Sequence, residues 1–149
     1  MREAMTSLLE AGGELIYNYA LSLLAESYRA AGEPGPGLAA VAEALEGIES
    51  SGQRMHEAEL WRLRGELLLL EGEAEAESAR CFHRALQVAQ EQQARSWELR
   101  AATSLARLLS TQNRSEEAKS QLAPVLSGFP EGFDTADLKE ATTLLATLG

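Results

Sequence analysis

Three stretches of this chain repeat one pattern of small and large apolar residues about 40 positions apart. The small residues Ala25, Gly65 and Ala106 are separated by 40 and 41 positions, and each lies within an apolar helical pattern. After a polar break, a larger apolar residue takes the matching position of each stretch: Val41, Phe82 and Leu122. A repeat of this length is typical of stacked helical hairpins, in which each hairpin buries its apolar face against its neighbours. Such arrays usually present a surface to a partner, so the repeat favours an interaction module over an enzyme.

The sequence predicts an all-α protein of about eight helices. Ala, Leu, Glu, Arg and Gln dominate, and the two-residue alternation of a half-buried strand is absent. The predicted helices cover residues 2–11, 14–31, 36–51, 55–71, 75–93, 95–112, 115–127 and 135–148. We expect Ser115 to cap the seventh helix, and Asp134 or Thr135 to cap the last.

The small residues of the repeat have a packing explanation. A helix-interior glycine costs about 1 kcal/mol relative to alanine, so Gly65 indicates close contact with the second helix of its hairpin, where Phe82 is the expected partner. A bulky residue at Gly65 or Ala106 is therefore expected to destabilise the protein by about 1–3 kcal/mol.

The spacing of these residues resembles the tetratricopeptide repeat. Two small positions of that repeat correspond to Ala25, Gly65 and Ala106 and to Gly37, Ser78 and Ala118. Trp61 matches its aromatic fourth position in the middle repeat, and Pro130 matches the repeat-ending proline of the third. The period differs, because the repeats here are 40–41 residues long rather than about 34. The resemblance implies a right-handed superhelix of antiparallel helical hairpins, a tetratricopeptide-like α–α solenoid.

Longer segments resemble the C-terminal helical-repeat region of large bacterial regulators. These segments are AELWRLRGELLLLEG, CFHRALQVAQEQQARSWELRAATSLARLL and EGFDTADLKEATTLL. Such regulators join an AAA/STAND-type ATPase module, often with an adenylate cyclase domain, to helical repeats. The resemblance implies a sensor or scaffold segment of a signalling or transcription-regulatory protein, rather than its catalytic part.

We interpret residues 1–149 as one helical-repeat domain. Residues 1–13 are expected to be the second helix of a truncated upstream hairpin, residues 14–52, 53–93 and 94–130 to form three hairpins, and residues 134–148 to form a C-terminal capping helix. In that capping helix Leu138, Ala141, Leu145 and Leu148 are expected to face inward. At the other end, Met5, Leu8 and Leu9 are expected to be partly uncovered. Either the natural chain continues upstream, or this N-terminal edge associates with another subunit, and we predict self-association as a homo-oligomer.

The charge and the single cysteine limit the partners and the compartment. The formal net charge is −10, from 13 basic and 23 acidic residues. Because nucleic acids and anionic membranes attract basic faces, this balance argues against both partners. The single Cys81 excludes an internal disulfide and fits a reducing compartment, and no signal peptide or membrane-spanning stretch is recognisable. We therefore expect a cytoplasmic protein.

No catalytic, cofactor or metal site is predicted. His56-Glu57 begins like a zinc-protease helix, but Leu60 stands where the second histidine would be. Cys81 and His83 lie two positions apart on a helix and so point to different faces; we expect Cys81 to be buried and His83 to be exposed. The glycine-rich phosphate-binding motifs are absent from the sequence.

The candidate site is a groove lined by the first helix of each hairpin, as the tetratricopeptide resemblance implies. Its groove positions correspond to Tyr19, Ser22, Glu26 and Arg29, to Glu59, Arg62, Glu66 and Leu69, and to Arg100, Thr103, Arg107 and Ser110. The candidate partner-binding residues among them are Tyr19, Glu26, Arg29, Arg62, Glu66, Arg100 and Arg107. Most are polar, as expected of an exposed groove, and the arginines suit an acidic or C-terminal peptide. Alternatively, Arg62 pairs with Glu66 four residues on, which is worth only a few tenths of a kcal/mol.

Two functions remain open. The first is a non-catalytic protein–protein interaction or scaffold module, whose partner is a protein, a peptide or another domain of the same polypeptide. The second is a dimerisation or spacer segment that binds no third partner. Trp61 and Trp97 are expected to pack between hairpins. The alternative is that their rings form a surface on which a ligand stacks.

Overall fold

The computed structural model describes residues 14–52, 54–72, 75–129 and 135–148. Within these ranges the chain forms seven α-helices and no strand: α1 (Glu14–Ala31), α2 (Pro34–Ser51), α3 (Glu57–Glu71), α4 (Glu75–Glu91), α5 (Arg95–Thr111), α6 (Ser115–Ser127) and α7 (Ala136–Thr147). The prediction of an all-α protein is confirmed, with seven helices in these ranges rather than about eight. The helix predicted at residues 2–11 lies outside the described residues, and so does the N-terminal edge with Met5, Leu8 and Leu9. In the part of the chain described, each helix is too short or too polar to cross a membrane.

The backbone repeats with the same period as the sequence. Residues with positive φ follow α1, α3 and α5 at Gly32, Gly72 and Asn113, which lie 40 and 41 positions apart. Gly52 and Gln93, which follow α2 and α4, also have positive φ and lie 41 positions apart. Because glycine adopts this conformation freely and asparagine tolerates it, these residues end the helices at regular intervals.

The helices pack in chain order, and the odd-numbered ones also pack against each other. Each helix contacts the next, and α1 contacts α3, α3 contacts α5, and α5 contacts α7. Within the described ranges, α2, α4 and α6 make no such contacts with one another. The helices α1, α3, α5 and α7 therefore form a continuous layer, which we call the odd-helix row.

Close packing at the small residues holds neighbouring helices together. A Cβ atom on Gly65 would lie 2.5 Å from Cε1 and 2.8 Å from Cδ1 of Phe82, which is fully buried. A Cβ atom on Gly37 would lie 2.7 Å from Cδ2 of Leu67. The predicted close contact of Gly65 with Phe82 is confirmed. Ala25 and Ala106 are also fully buried.

The predicted N-caps differ in outcome. The hydroxyl of Thr135 accepts a hydrogen bond from the backbone N–H of Leu138 at 3.3 Å, so Thr135 caps α7 as predicted. The prediction that Ser115 caps α6 is wrong. The carbonyl of Arg114 accepts the first helical hydrogen bond from Ala118, which makes Arg114 the N-cap and Ser115 the first helical residue.

In α7 the inward residues Leu138, Ala141 and Leu148 are buried as predicted, and Leu145 packs against the same cluster.

Candidate partner-binding groove

The odd-helix row carries a cavity of about 190 Å³ that charged side chains line almost completely. The cavity is lined by Glu26 and Arg29 of α1, Arg62 and Glu66 of α3, Arg100, Thr103, Ser104 and Arg107 of α5, and Asp137 and Glu140 of α7. Six of the seven candidate residues named from the sequence meet here, and Tyr19 is the exception. We call this cavity and its lining residues the groove.

A buried ion pair forms the centre of the groove. Arg62 Nε donates to Glu59 Oε1 at 2.6 Å and Arg62 Nη2 donates to Glu59 Oε2 at 3.0 Å, while the two residues are only 7% and 6% exposed. Arg100 of α5 also donates to Glu59, and Arg62 Nη1 lies 3.4 Å from the hydroxyl of Ser104. Burial lowers the pKa of Arg62, but the hydrogen bonds and charge of Glu59 outweigh that effect, so the pKa is raised above its ordinary value.

The expectation that the groove positions are exposed is therefore wrong for Arg62 and Glu59, and also for Ser22 and Thr103, which are 6% and 5% exposed. Taking a charge out of water is unfavourable unless a partner and hydrogen bonds compensate for it. Glu59 provides that compensation for both Arg62 and Arg100. The alternative pair, Arg62 with Glu66, is also present, but at 3.9 Å it is a weaker contact than the pair with Glu59.

On the α1 side, the groove ends in a second, more exposed pair. Arg29 donates through Nε and Nη2 to the two carboxylate oxygens of Glu26, at 2.8 and 2.7 Å. The hydrogen bond from Arg29 holds the pKa of Glu26 below its ordinary value, and the same bond raises the pKa of Arg29. Arg62 lies 3.9 Å from Glu26, so this pair adjoins the buried centre.

On the opposite side, α7 supplies carboxylates to the arginines of α5. Arg100 Nε lies 3.6 Å from Asp137, and Arg107 forms an ion pair with Glu140. Arg107 also lies 3.7 Å from Glu66 of α3. Alternating arginines and carboxylates thus link all four helices of the odd-helix row.

Asp137 and Glu140 were not among the residues predicted from the sequence. The tetratricopeptide resemblance assigns groove positions only to the first helix of each hairpin, whereas the sequence of α7 is typical of a capping helix. The available signal was weak: two acids three positions apart on α7, with no base on the same helix face to pair with them. Glu59 held a groove position in the sequence, but its role as the shared carboxylate depends on contacts across helices.

An aromatic row containing Tyr19 continues from Arg100 outside the cavity. The ring of Tyr19 lies 5.0 Å from that of His56, which meets Trp97 edge-on at 6.3 Å. The Arg100 guanidinium lies 5.9 Å from the centre of the Trp97 ring, a cation–π contact. Burial lowers the pKa of His56 below its ordinary value, and the charge of Glu59 opposes this shift. Trp61 and Trp97 both pack on Ala58, Val88 and Ala89, which fits the interpretation of hairpin packing.

A second cavity extends the groove towards apolar residues. It has a volume of about 300 Å³, shares Glu66, Ser104 and Arg107 with the groove, and also contacts Leu69 and Leu108. A bound segment could therefore place a charged group at Arg107 and an apolar side chain beside Leu69 and Leu108. The arrangement offers hydrogen bonding, ion-pair exchange and a modest apolar surface.

The other residues considered for chemistry lie away from the groove. Cys81 is buried and His83 is exposed, as predicted. Burial raises the pKa of the Cys81 thiol, which favours the neutral form. Among the residues the structure describes, no three His, Cys, Asp or Glu side chains are grouped so as to hold a metal ion.

No protein-family model matches this chain, and no curated protein matches it.

Proposed function

We propose that this chain is a non-catalytic protein-interaction module that binds a protein or peptide segment in the groove. The helical hairpins would form a right-handed, tetratricopeptide-like superhelix, with the odd-helix row on its concave face. In line with the sequence resemblance, the module would act as a scaffold within a cytoplasmic bacterial signalling or transcription-regulatory protein that carries ATPase or cyclase domains. The partner would be a separate protein or another domain of the same polypeptide.

One observation carries this proposal. Residues predicted from three separate repeats, at positions about 40 apart, line a single cavity. A groove that crosses several helices suits an extended peptide, because each helix contributes charged groups at successive points along it. Catalysis would need a titrating group beside a reacting atom, whereas these groups are engaged in ion pairs.

The outer ion pairs can be exchanged for contacts with a partner. Asp137 and Glu140 have side chains 45% and 53% exposed, and Arg107 has a side chain 44% exposed. Exposed pairs contribute little net stability, typically about 0–1 kcal/mol. A carboxylate of the partner can therefore replace Asp137 or Glu140 at small energetic cost, while the buried Arg62–Glu59 pair stays intact.

The test is capture of partner proteins by the immobilised chain from a bacterial lysate, with identification by mass spectrometry. The informative variant is the double substitution Arg29→Glu and Arg107→Glu, because both arginines line the groove and are partly exposed. We expect this variant to lose a partner that the unaltered chain captures, with affinity for the purified partner reduced about tenfold or more.

A matched control uses two arginines outside the groove. Arg80 and Arg114 are exposed, and each pairs with a glutamate three positions away, as Arg29 does. Arg80→Glu with Arg114→Glu makes the same change in net charge, so capture should be retained. Equal capture by both double variants would contradict binding in the groove.

A second candidate function, dimerisation without a third partner, is favoured by one surface. Ile16, Tyr19 and Leu23 lie three and four positions apart on α1 and are 55%, 47% and 50% exposed. This spacing gathers them on one helix face, and exposed apolar patches often mark association surfaces. Sedimentation equilibrium at tens of micromolar protein should then give a dimer, and Leu23→Glu should give a monomer. A monomer for the unaltered chain would exclude this function.

A further inference from the structure

A larger cavity lies between α2, α3 and α4 and shares no residue with the groove. Its volume is about 560 Å³, within the range of about 300–1,000 Å³ that is usual for small-molecule sites. The cavity exists because α2 and α4 both pack on α3 but not on each other. We call it the outer cavity.

The outer cavity has an apolar side. Leu45 and Ile48 of α2 line it together with Trp61 of α3. Trp61 is half-buried, and its indole N–H donates to Glu57 Oε2 at 3.2 Å. This hydrogen bond holds the ring in place, and the part of the ring that lines the cavity can contact an apolar ligand.

Three arginines also line the cavity, and two of them depend on one carboxylate. Arg54 lies 2.7 Å from Glu57 Oε1, and Arg84 lies 3.7 Å from Glu57 Oε2. Glu57 is only 5% exposed. One buried carboxylate thus serves two guanidinium groups and the Trp61 indole, which leaves an excess of positive charge on this wall.

Arg64, the third arginine, has no carboxylate within 4.0 Å among the residues that the structure describes, and its buried Nε has no hydrogen-bond acceptor. Its side chain is half-buried and adjoins the Cys81 thiol. Because burial raises the pKa of Cys81, that thiol is neutral and does not balance the charge. Glu77 interacts electrostatically with Arg64, but its carboxylate pairs with Arg80. Within the described part of the chain, Arg64 therefore has no direct ion-pair partner of its own, and an anion beside it would be stabilised.

Besides Glu57, two further acidic residues line the cavity. Glu46 and Glu49 belong to α2, and both are exposed. Water and salt screen exposed charges strongly and partly buried charges much less. The arginines of α3 and α4 therefore determine which charge the interior prefers.

We propose that the outer cavity binds a small organic anion with an apolar body. The carboxylate of the ligand would pair with Arg64 and Arg84, and its apolar body would cover Trp61, Leu45 and Ile48. This site is independent of the proposed groove function, because the two share no residues.

The test uses two probes with the same phenyl body and opposite charge, phenylbutyrate and phenylbutylammonium. Isothermal titration calorimetry on the full chain should show saturable binding of phenylbutyrate only. In a Trp97→Phe variant, Trp61 is the sole tryptophan, so phenylbutyrate should change the Trp61 fluorescence over the same concentration range.

Three variants locate the site. Arg64→Gln keeps most of the side-chain volume and should weaken phenylbutyrate binding about tenfold or more, the loss expected for a charge-assisted hydrogen bond. Ala42→Trp fills the cavity from an exposed position of α2 and should abolish binding without affecting the fold. Arg80→Gln removes an exposed arginine of α4 that lies outside the cavity and should leave binding unchanged.

Three results would overturn the proposal. They are the absence of saturable phenylbutyrate binding, equal binding of the cationic probe, and unchanged phenylbutyrate binding by the folded Arg64→Gln and Ala42→Trp variants. Far-ultraviolet circular dichroism of each variant confirms that it is folded.

Discussion

At the scale of single residues, Gly65 leaves the least space for a Cβ atom among the glycines that the structure describes. A Cβ atom at this position would approach the Phe82 ring to 2.5 Å, closer than carbon atoms pack. Alanine gains about 1 kcal/mol of helix propensity over glycine, yet we expect Gly65→Ala to lower the free energy of unfolding by about 1–3 kcal/mol, because a fully buried ring cannot move aside freely. Urea denaturation measures this difference.

Gly35 provides the matched control for Gly65. It also lies in a helix, and a Cβ atom there would meet nothing within 4 Å. Gly35→Ala is therefore expected to change the free energy of unfolding by less than about 1 kcal/mol in either direction, because the open space favours alanine whereas Pro36 disfavours a Cβ atom on the helical residue before it. Similar destabilisation by the two substitutions would contradict the packing argument.

His56 makes stability depend on pH. Burial lowers its pKa in the folded state, so the folded protein binds protons less readily than the unfolded chain, whose histidine pKa is about 6.5. Stability from neutral His56 is complete above that pH and declines as pH falls below it. We expect His56→Gln to flatten the decline in unfolding free energy between about pH 7 and pH 5.

His83 is the control for this pH effect, because it is exposed. His83→Gln should leave the pH dependence of stability as it is in the unaltered chain. An unchanged slope in His56→Gln, or an equal flattening in His83→Gln, would contradict the role assigned to the burial of His56.

At the scale of helices, Glu59 connects α3 to α5. It is buried and binds both Arg62 and Arg100. Glu59→Gln would leave Arg62 buried without a full counter-charge, which typically costs about 3–5 kcal/mol. We expect a loss of that order in the free energy of unfolding, measured by urea denaturation.

Glu116 offers the contrast, since its pair with Lys119 lies on the surface of α6 and the glutamate side chain is 89% exposed. Glu116→Gln should change stability very little. An equally small change in the free energy of unfolding for Glu59→Gln would contradict the conclusion that the buried ion pairs stabilise the packing of α3 on α5.

Helix boundaries could be predicted from the sequence where a local signal marks them. The bounds of α1 and α6 agree with the prediction, and α1 ends where Gly32 adopts a positive φ. The start of α2 was predicted two residues late, because Pro34 occupies the first helical turn, where a missing N–H is harmless. The N-cap of α6 was misplaced by one residue, since the positive φ of Asn113 sets where the helix begins.

At the scale of the whole molecule, the repeat placed the candidate residues of three helices on one surface. The period of about 40 residues brings Glu26, Glu66 and Arg107 together, which lie 40 and 41 positions apart, because the odd helices pack against each other. The same period could not indicate that Asp137 and Glu140 complete the groove, because α7 does not continue the repeat. The burial of Arg62 also depends on its neighbours across helices rather than on its own helix.

The groove is balanced in charge although the chain is acidic. The chain carries a net charge of −10, yet four arginines and four carboxylates line the groove. Long-range attraction therefore contributes little to the encounter with an acidic partner. Recognition would instead depend on exchange of the exposed pairs made by Arg100 and Arg107.

The most direct test of partner binding in the groove is nuclear magnetic resonance of the isotope-labelled chain, titrated with a peptide from the captured partner. We expect the largest chemical-shift changes on α1, α3, α5 and α7, near Glu26, Arg100 and Arg107. Changes confined to α2, α4 and α6 would contradict the assignment of the odd-helix row as the binding face.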